Sequence, residues 1–318
     1  MSICIDCKTQ INKTSGRCDK CEEREKLIAN WRSRGVPQGR VNAQLTSEVV
    51  EWLCVQAAKS KVDMATIISS IVSSAEKVGL ESAWVVDHLA IPPDDTEGSG
   101  GRYLDPLTVL SWMAGQTRKI MLGTGVLILP YRSRLPLAKA IASLQELSAG
   151  RFILGVGVGW MEPEFRALGV PKNKRGKIFE DTLCFINDCF EKDIMTSNGQ
   201  EFIFEPRPKK PAILLGGVSA AAFDRAVNLG VGWFPIGRLS EIKDRIKLFH
   251  DLTKRKYGRP SDVVTYYNFS GQSETHFCDE LNSYRDAGIS RVIINRKYET
   301  ADDWSREFEV LDRVLARF

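Results

Sequence analysis

The sequence predicts an α/β protein: a TIM (β/α)8-type barrel behind a small N-terminal zinc-binding module. Two observations carry the barrel. Short apolar strands alternate with helical segments from about residue 63 to the end, and several of these strands run directly into glycine or polar residues. A third carries the module: two C-x-x-C pairs lie within the first 21 residues.

At 318 residues with 43% hydrophobic content, the chain can bury one large core plus something small. Its apolar runs are all broken by Gly, Ser or charge well short of a membrane span, and Met1-Ser-Ile-Cys-Ile-Asp6 lacks the basic-then-apolar order of a signal peptide. A cytoplasmic protein without membrane contact is expected. Residues 1–40 hold nine Lys/Arg against five Asp/Glu and so carry the whole net charge of +4. That basic head gives slight support to nucleic-acid contact, and a solvated linker explains it as well.

Cys4-Ile-Asp-Cys7 and Cys18-Asp-Lys-Cys21 each present two thiolates, and four thiolates satisfy tetrahedral zinc. In a reducing compartment zinc is favoured over two disulfides, and it would supply the stability that so small a module lacks. Cys54, Cys184, Cys189 and Cys278 are scattered among apolar neighbours as small core residues. The expected division is a zinc module over 1–25, a linker and helical segment over 26–62, and the barrel over 63–318.

Within the middle segment, Val41–Leu45 alternates as a short strand. Thr46 can cap a helix bearing Val49, Val50, Leu53, Cys54 and Ala57, and Asp63 can cap a second helix. Strand, helix, helix resembles the ribbon-helix-helix DNA-binding family. The second helix, however, has one apolar stripe, Met64, Ile67, Ile68, Ile71, Val72 and Ala75, which can be buried against one partner only.

Seven strands are expected after it. Ser82–Val86 ends in Asp87-His88, and Asp105-Pro106 caps and opens a helix to about Thr117. Ile120–Ile128 is the next strand, followed by a helix from Pro136 that stops at Gly150. Arg151-Phe-Ile-Leu-Gly-Val-Gly-Val-Gly159 is a buried strand delivering a glycine loop, and Glu162-Pro163-Glu164 opens a helix. Without a Cβ at Gly155, Gly157 and Gly159, the backbone can approach a flat or phosphorylated ligand. After a helix over 173–192 and a polar stretch, Ala212–Leu215 runs into Gly216-Gly217-Val218-Ser219, whose amides at the start of helix 220–229 form a ready phosphate site. The last strands are 231–234, 263–267 and 291–295.

The segments 75–88, 122–126, 129–132, 147–151, 155–165, 215–217 and 232–235 together resemble the bacterial luciferase-like monooxygenase superfamily, and within it the coenzyme F420-dependent oxidoreductase branch. The likeness runs from about residue 64 to the C terminus. It implies a flavin or deazaflavin at the C-terminal mouth of the barrel, F420 first and FMN second, with hydride transfer to or from a small organic substrate. It places His88 as acid/base, with Asp87 beside it to orient a neighbour. Thr124-Gly125-Val126 would form a bulge behind the ring, in some members with a non-proline cis peptide. Gly157-Val158-Gly159-Trp160 would line the ring, Gly216–Ser219 would take the phosphate, and Arg132 would add charge for an anionic tail or form an ion pair.

Three departures from the pattern stand out. The first strand has no recognisable counterpart unless Val41–Leu45 substitutes, and a barrel one strand short has two open edges beside the cofactor site. Val231 and Gln145 replace residues that are often Asp, changes that bear on catalysis more than on fold. A homodimer is compatible with these features. The reading from another class is a DNA-binding or adaptor protein, zinc module plus ribbon-helix-helix, that keeps the barrel as a scaffold.

Overall fold

The computed structural model describes residues 41–45, 64–92, 103–269, 273–295 and 301–317, with side chains from residue 64 onward except those of 301–307. The four N-terminal cysteines, the 22–40 linker and the helix expected over 46–59 lie outside the described residues.

Strand β1 (Val41–Leu45) precedes α1 (Met64–Lys77) and β2 (Ser82–Val85); α2 (Pro106–Gln116) leads to β3 (Met121–Thr124) and β4 (Leu127–Ile128). Helix α3 (Arg134–Leu147) leads to β5 (Phe152–Gly157), followed by α4 (Glu162–Ala167), α5 (Arg175–Glu191) and an antiparallel hairpin of β6 (Ile194–Ser197) and β7 (Gln200–Ile203). The polar stretch of the sequence is thus a hairpin. Strand β8 (Ala212–Gly216), α6 (Ala220–Leu229), β9 (Gly232–Phe234), α7 (Leu239–Tyr257), β10 (Val264–Asn268), α8 (Glu274–Asp286), β11 (Arg291–Asn295) and α9 (Ala301–Leu315) complete the described chain.

The large sheet is parallel and runs β10-β11-β1-β2-β3-β5-β8-β9, with β4 attached to β5. Its two ends meet at one parallel bridge, Trp233 with Val263, where the Trp233 amide donates to Asp262 O at 2.9 Å. Val41–Leu45 fills the place of the missing strand, pairing with β11 on one side and β2 on the other. This corrects the ribbon-helix-helix expectation. Both edges of that strand are engaged within the chain, and Ile68, Ile71, Val72 and Ala75 of α1 are buried in the same core as Leu110 and Met113 of α2. A stripe already buried there has nothing left for a two-fold partner.

Alternation along the strands sorts side chains into two layers. Ala83, Val85, Leu122, Leu154, Leu215, Val292 and Ile294 pack outward with the helices. Trp84, Ile153, Leu214, Phe234, Val264 and Ile293 form a separate inward cluster. Each such large side chain contributes about 1.5–3 kcal/mol through burial. Trp84 lies over Gly123, where an added Cβ would stand 2.3 Å from the indole.

The strand expected over 120–128 is broken. Leu122 pairs with Phe152 and Gly123 with Ile153, but Leu127 pairs with Val156 and Ile128 with Gly157, so one extra residue enters between β3 and β4. This is the bulge implied at Thr124–Val126, and the Gly125–Val126 peptide is cis. Among the described residues no helix is long and apolar enough to cross a membrane.

Candidate active site

Among the described residues, the expected catalytic and cofactor residues lie at or beyond the C-terminal ends of the parallel strands: Asp87-His88 after β2, Thr124–Val126 from the end of β3 with Arg132 beyond it, Gly157–Trp160 from the end of β5, and Gly216–Ser219 from the end of β8. The fold brings these ends to one mouth above the inward cluster.

The glycines serve the protein before any ligand. A Cβ on Gly155 would lie 2.0 Å from the Thr124 carbonyl oxygen, and one on Gly157 would lie 2.7 Å from Cγ2 of Val126. At Gly216 it would meet both Val126 methyls at 3.0 and 3.1 Å, and at Gly159, with φ +79°, it would meet Ile128 and Phe165. The absence of a side chain at these positions thus also serves packing: the space behind them is taken by the bulge, and Val126 fills a cradle between β5 and β8. The bulge is held by Thr124 Oγ1 donating to Gly155 O at 2.7 Å and by the Tyr266 hydroxyl donating to Gly125 O. Gly125, Gly157 and Gly216 add no side chain to the mouth, so its floor there is flat and apolar. Such a floor fits a planar ring.

Asp87 is buried and fully engaged. Arg132 grips both its oxygens at 2.6 and 2.9 Å, the Ile128 amide donates to it at 2.8 Å, and Arg132 also reaches Asp105 at 2.9 Å. Burial pushes the Asp87 carboxyl upward against the pull of Arg132, whose own pKa is raised by its two carboxylates despite desolvation. Arg132 is thus an ion-pair residue, its charge committed within the protein. The orienting role expected of Asp87 falls on this arginine and on the start of the turn at Leu129–Tyr131.

His88 is differently placed. Its ring packs against Tyr103 (centroids 4.8 Å apart) and edge-on to Trp160 (6.5 Å), and Trp160 itself is 66% exposed. Nδ1 of His88 lies 3.2 Å from Oε2 of Glu164, whose side chain is 1% exposed while that of His88 is 21% exposed. Glu164 also accepts from the Leu89 amide at 2.6 Å, the Ala90 amide at 3.0 Å and the Tyr131 hydroxyl at 2.9 Å. Burial alone would raise its pKa, but the bonds from His88, Ala90, Leu89 and Tyr131 outweigh burial and bring it down to about 2. Burial, together with the Glu164 carboxylate, pushes the Tyr131 phenol far upward, so Tyr131 stays a donor.

Glu164, Tyr131 and Tyr103 escaped the sequence reading. In the sequence Glu164 reads only as a first-turn acid of α4. The usable signal was its neighbour Phe165: the two are adjacent and both buried, so this turn faces inward.

At the phosphate loop, Ser219 caps α6 by accepting from the Ala222 amide at 3.2 Å, and the Gly217 amide donates to Phe234 O at 3.1 Å. Of the amides expected for an anion, that of Gly217 is therefore already engaged, and the capping bond occupies the amide of Ala222. Arg245 donates to the carbonyls of Val218 and Ser219, which brings a cation to the rim. Gln145 and Val231 are remote from the mouth. Gln145 bridges the Phe152 amide and Lys209 O, and Val231 precedes β9 and packs on the outer core. Both residues thus take part in the packing of the fold. Among the described residues no group of three or more His, Cys, Asp or Glu is placed to hold a metal.

Comparison with known proteins agrees with this arrangement. The profile of the family described as luciferase-like monooxygenase matches residues 56–271. The chain belongs to the luciferase-like monooxygenase family. Among its relatives, the uncharacterized protein Rv0953c of Mycobacterium tuberculosis is 27% identical over 76% of this chain and 91% of its own length. Among solved structures, this luciferase-like chain is similar in fold to monooxygenase RslO1 from Streptomyces bottropensis, with a TM-score of 0.71 and 17% identity over 87% of this chain and 99% of that one. It is also similar in fold to the oxygenating constituent of 3,6-diketocamphane monooxygenase from Pseudomonas putida, a type II Baeyer–Villiger monooxygenase solved in complex with FMN. There the TM-score is 0.65 and the identity 13% over 89% of this chain and 98% of that one.

Proposed function

We propose that this protein is a flavin-type oxidoreductase of the monooxygenase kind, acting on a small organic substrate at a barrel mouth closed by the Trp233–Val263 bridge. The observation that carries the reading is the pairing of a partly exposed His88 with the buried Glu164 beside the exposed ring of Trp160, over a floor of glycine strand ends filled by Val126. FMN is placed ahead of F420, because one of the structures similar in fold was solved in complex with FMN. A bound ring of this class supplies hydride or oxygen-activating chemistry that side chains lack. The chain's own part is to seat the ring on Val126 and the Thr124–Gly125 backbone, to cover it with Trp160, to hold a phosphate at the start of α6 near Arg245, and to move a proton at His88. The N-terminal cysteines Cys4, Cys7, Cys18 and Cys21 are assigned to zinc, and metal analysis should find one equivalent per chain.

The test is fluorescence titration of the protein with FMN and, separately, F420, alongside Val218→Glu. That substitution places a carboxylate at the exposed phosphate loop without filling any packed space. Saturable binding of one cofactor, weakened by at least about tenfold in the variant, is the expected result. Absence of binding by both cofactors would overturn the reading.

A further inference from the structure

We infer that Glu164 is the positioning residue that fixes His88 in its Nδ1–H tautomer, leaving Nε2 as the nitrogen offered to the mouth. The inference rests on the reading of His88 as the proton-transfer group, but its geometry needs no cofactor.

The argument is one of matching donors to acceptors. An ionised carboxylate only accepts, so a ring nitrogen 3.2 Å from Oε2 must carry the proton. The opposite neutral tautomer would set the Nδ1 lone pair against the carboxylate. Nor can the carboxylate turn away. Oε1 is pinned by the Leu89 and Ala90 amides, and Oε2 takes the Tyr131 hydroxyl as well as His88. Tyr131 is in turn held by the edge of the Phe165 ring, 5.0 Å between centroids. The amides of Leu89 and Ala90 follow His88 directly in the chain, so one carboxylate fixes both the backbone carrying the ring and the ring itself. Among the described residues nothing hydrogen-bonds Nε2. In its neutral form this nitrogen accepts a proton at a defined place, with the Glu164 carboxylate behind the ring.

The experiment is a long-range 1H–15N correlation spectrum of uniformly labelled full-length protein at alkaline pH, where the imidazoles are neutral. The chain has three histidines, and His88→Gln identifies the signal of interest by its loss. His250 is an internal standard of the opposite kind: its Nε2 lies 2.7 Å from the Gly288 carbonyl, which can only accept, so Nε2 is protonated there. For His88, a protonated Nδ1 and an unprotonated Nε2 are expected.

Glu164→Gln then inverts the pattern. The Leu89 and Ala90 amides demand an oxygen, so the amide –NH2 is left facing His88 and donates to Nδ1, while the Tyr131 hydroxyl turns to accept. The Nδ1–H to Nε2–H ratio should fall at least about tenfold. Tyr131→Phe, which keeps the carboxylate, should retain the wild-type pattern. A wild-type His88 protonated at Nε2, or an unchanged tautomer in a folded Glu164→Gln, overturns the proposal. Should that variant not fold, the wild-type spectrum decides alone. Failure to bind FMN or F420 leaves this result standing, so the two readings fail separately.

Discussion

Arg132 holds both oxygens of Asp87, with Nη1 2.6 Å from Oδ2 and Nη2 2.9 Å from Oδ1, and the carboxylate is wholly shielded from solvent. Through Asp105, the N-cap of α2, the same guanidinium ties the end of β2 to the helix that follows it. Arg132→Met should cost about 3–5 kcal/mol in urea denaturation, because it leaves a buried carboxylate without its partner. Arg132→Lys keeps the charge but loses the fork and should fall between. A loss below about 1 kcal/mol in Arg132→Met would show that the pair does not hold the mouth together.

Glu164 makes stability depend on acid. Its folded pKa of about 2 lies below the ordinary 4.5, so its stabilising contribution is present above pH 4.5 and disappears as pH falls from there toward 2. The shift corresponds to roughly 3 kcal/mol. Glu76 and Asp105, also lowered, act in the same sense. Comparing urea midpoints at pH 6 and pH 3, wild type should lose clearly more stability than Glu164→Gln. Parallel losses would contradict the assignment.

Gly157→Ala should destabilise by about 1–3 kcal/mol through overpacking. Most of that should return when Val126→Ala is added, since the methyl 2.7 Å away belongs to Val126. Gly155→Ala should not be rescued in this way, because its obstacle is the Thr124 carbonyl at 2.0 Å. A double-mutant cycle on folding free energy measures both couplings.

Trp160 is 66% exposed, so Trp160→Ala should change folding stability by no more than about 0.5 kcal/mol. It should weaken flavin binding by about three- to tenfold, the range expected of an aromatic contact. Thermal unfolding and cofactor titration of the same sample separate the two effects. Binding left unchanged would remove Trp160 from the ring site.

The alternation of apolar runs and caps was enough to place β2, β5, β8 and β11 within a residue or two, and Ser219 as the cap of α6, because these signals are local. The pattern of Asp87-His88, Gly-Thr-Gly-Val and the glycine strand was enough to name the family. Helix α3 begins two residues before Pro136, which sits in its first turn.

What the sequence determined by itself was therefore the alternation of the main strands and helices, the strand ends that carry polar or glycine residues, and the family. The tertiary structure alone decided the rest. It placed Val41–Leu45 between β2 and β11, gave the glycines to Val126 and Thr124, committed Arg132 to Asp87, and brought Glu164 to His88 across 76 residues of chain. The physical reason is common to all four. Periodicity and capping report a residue's nearest chain neighbours, whereas the filling of a cradle, the pairing of a buried charge and the choice of a tautomer depend on which distant group arrives within about 3 Å.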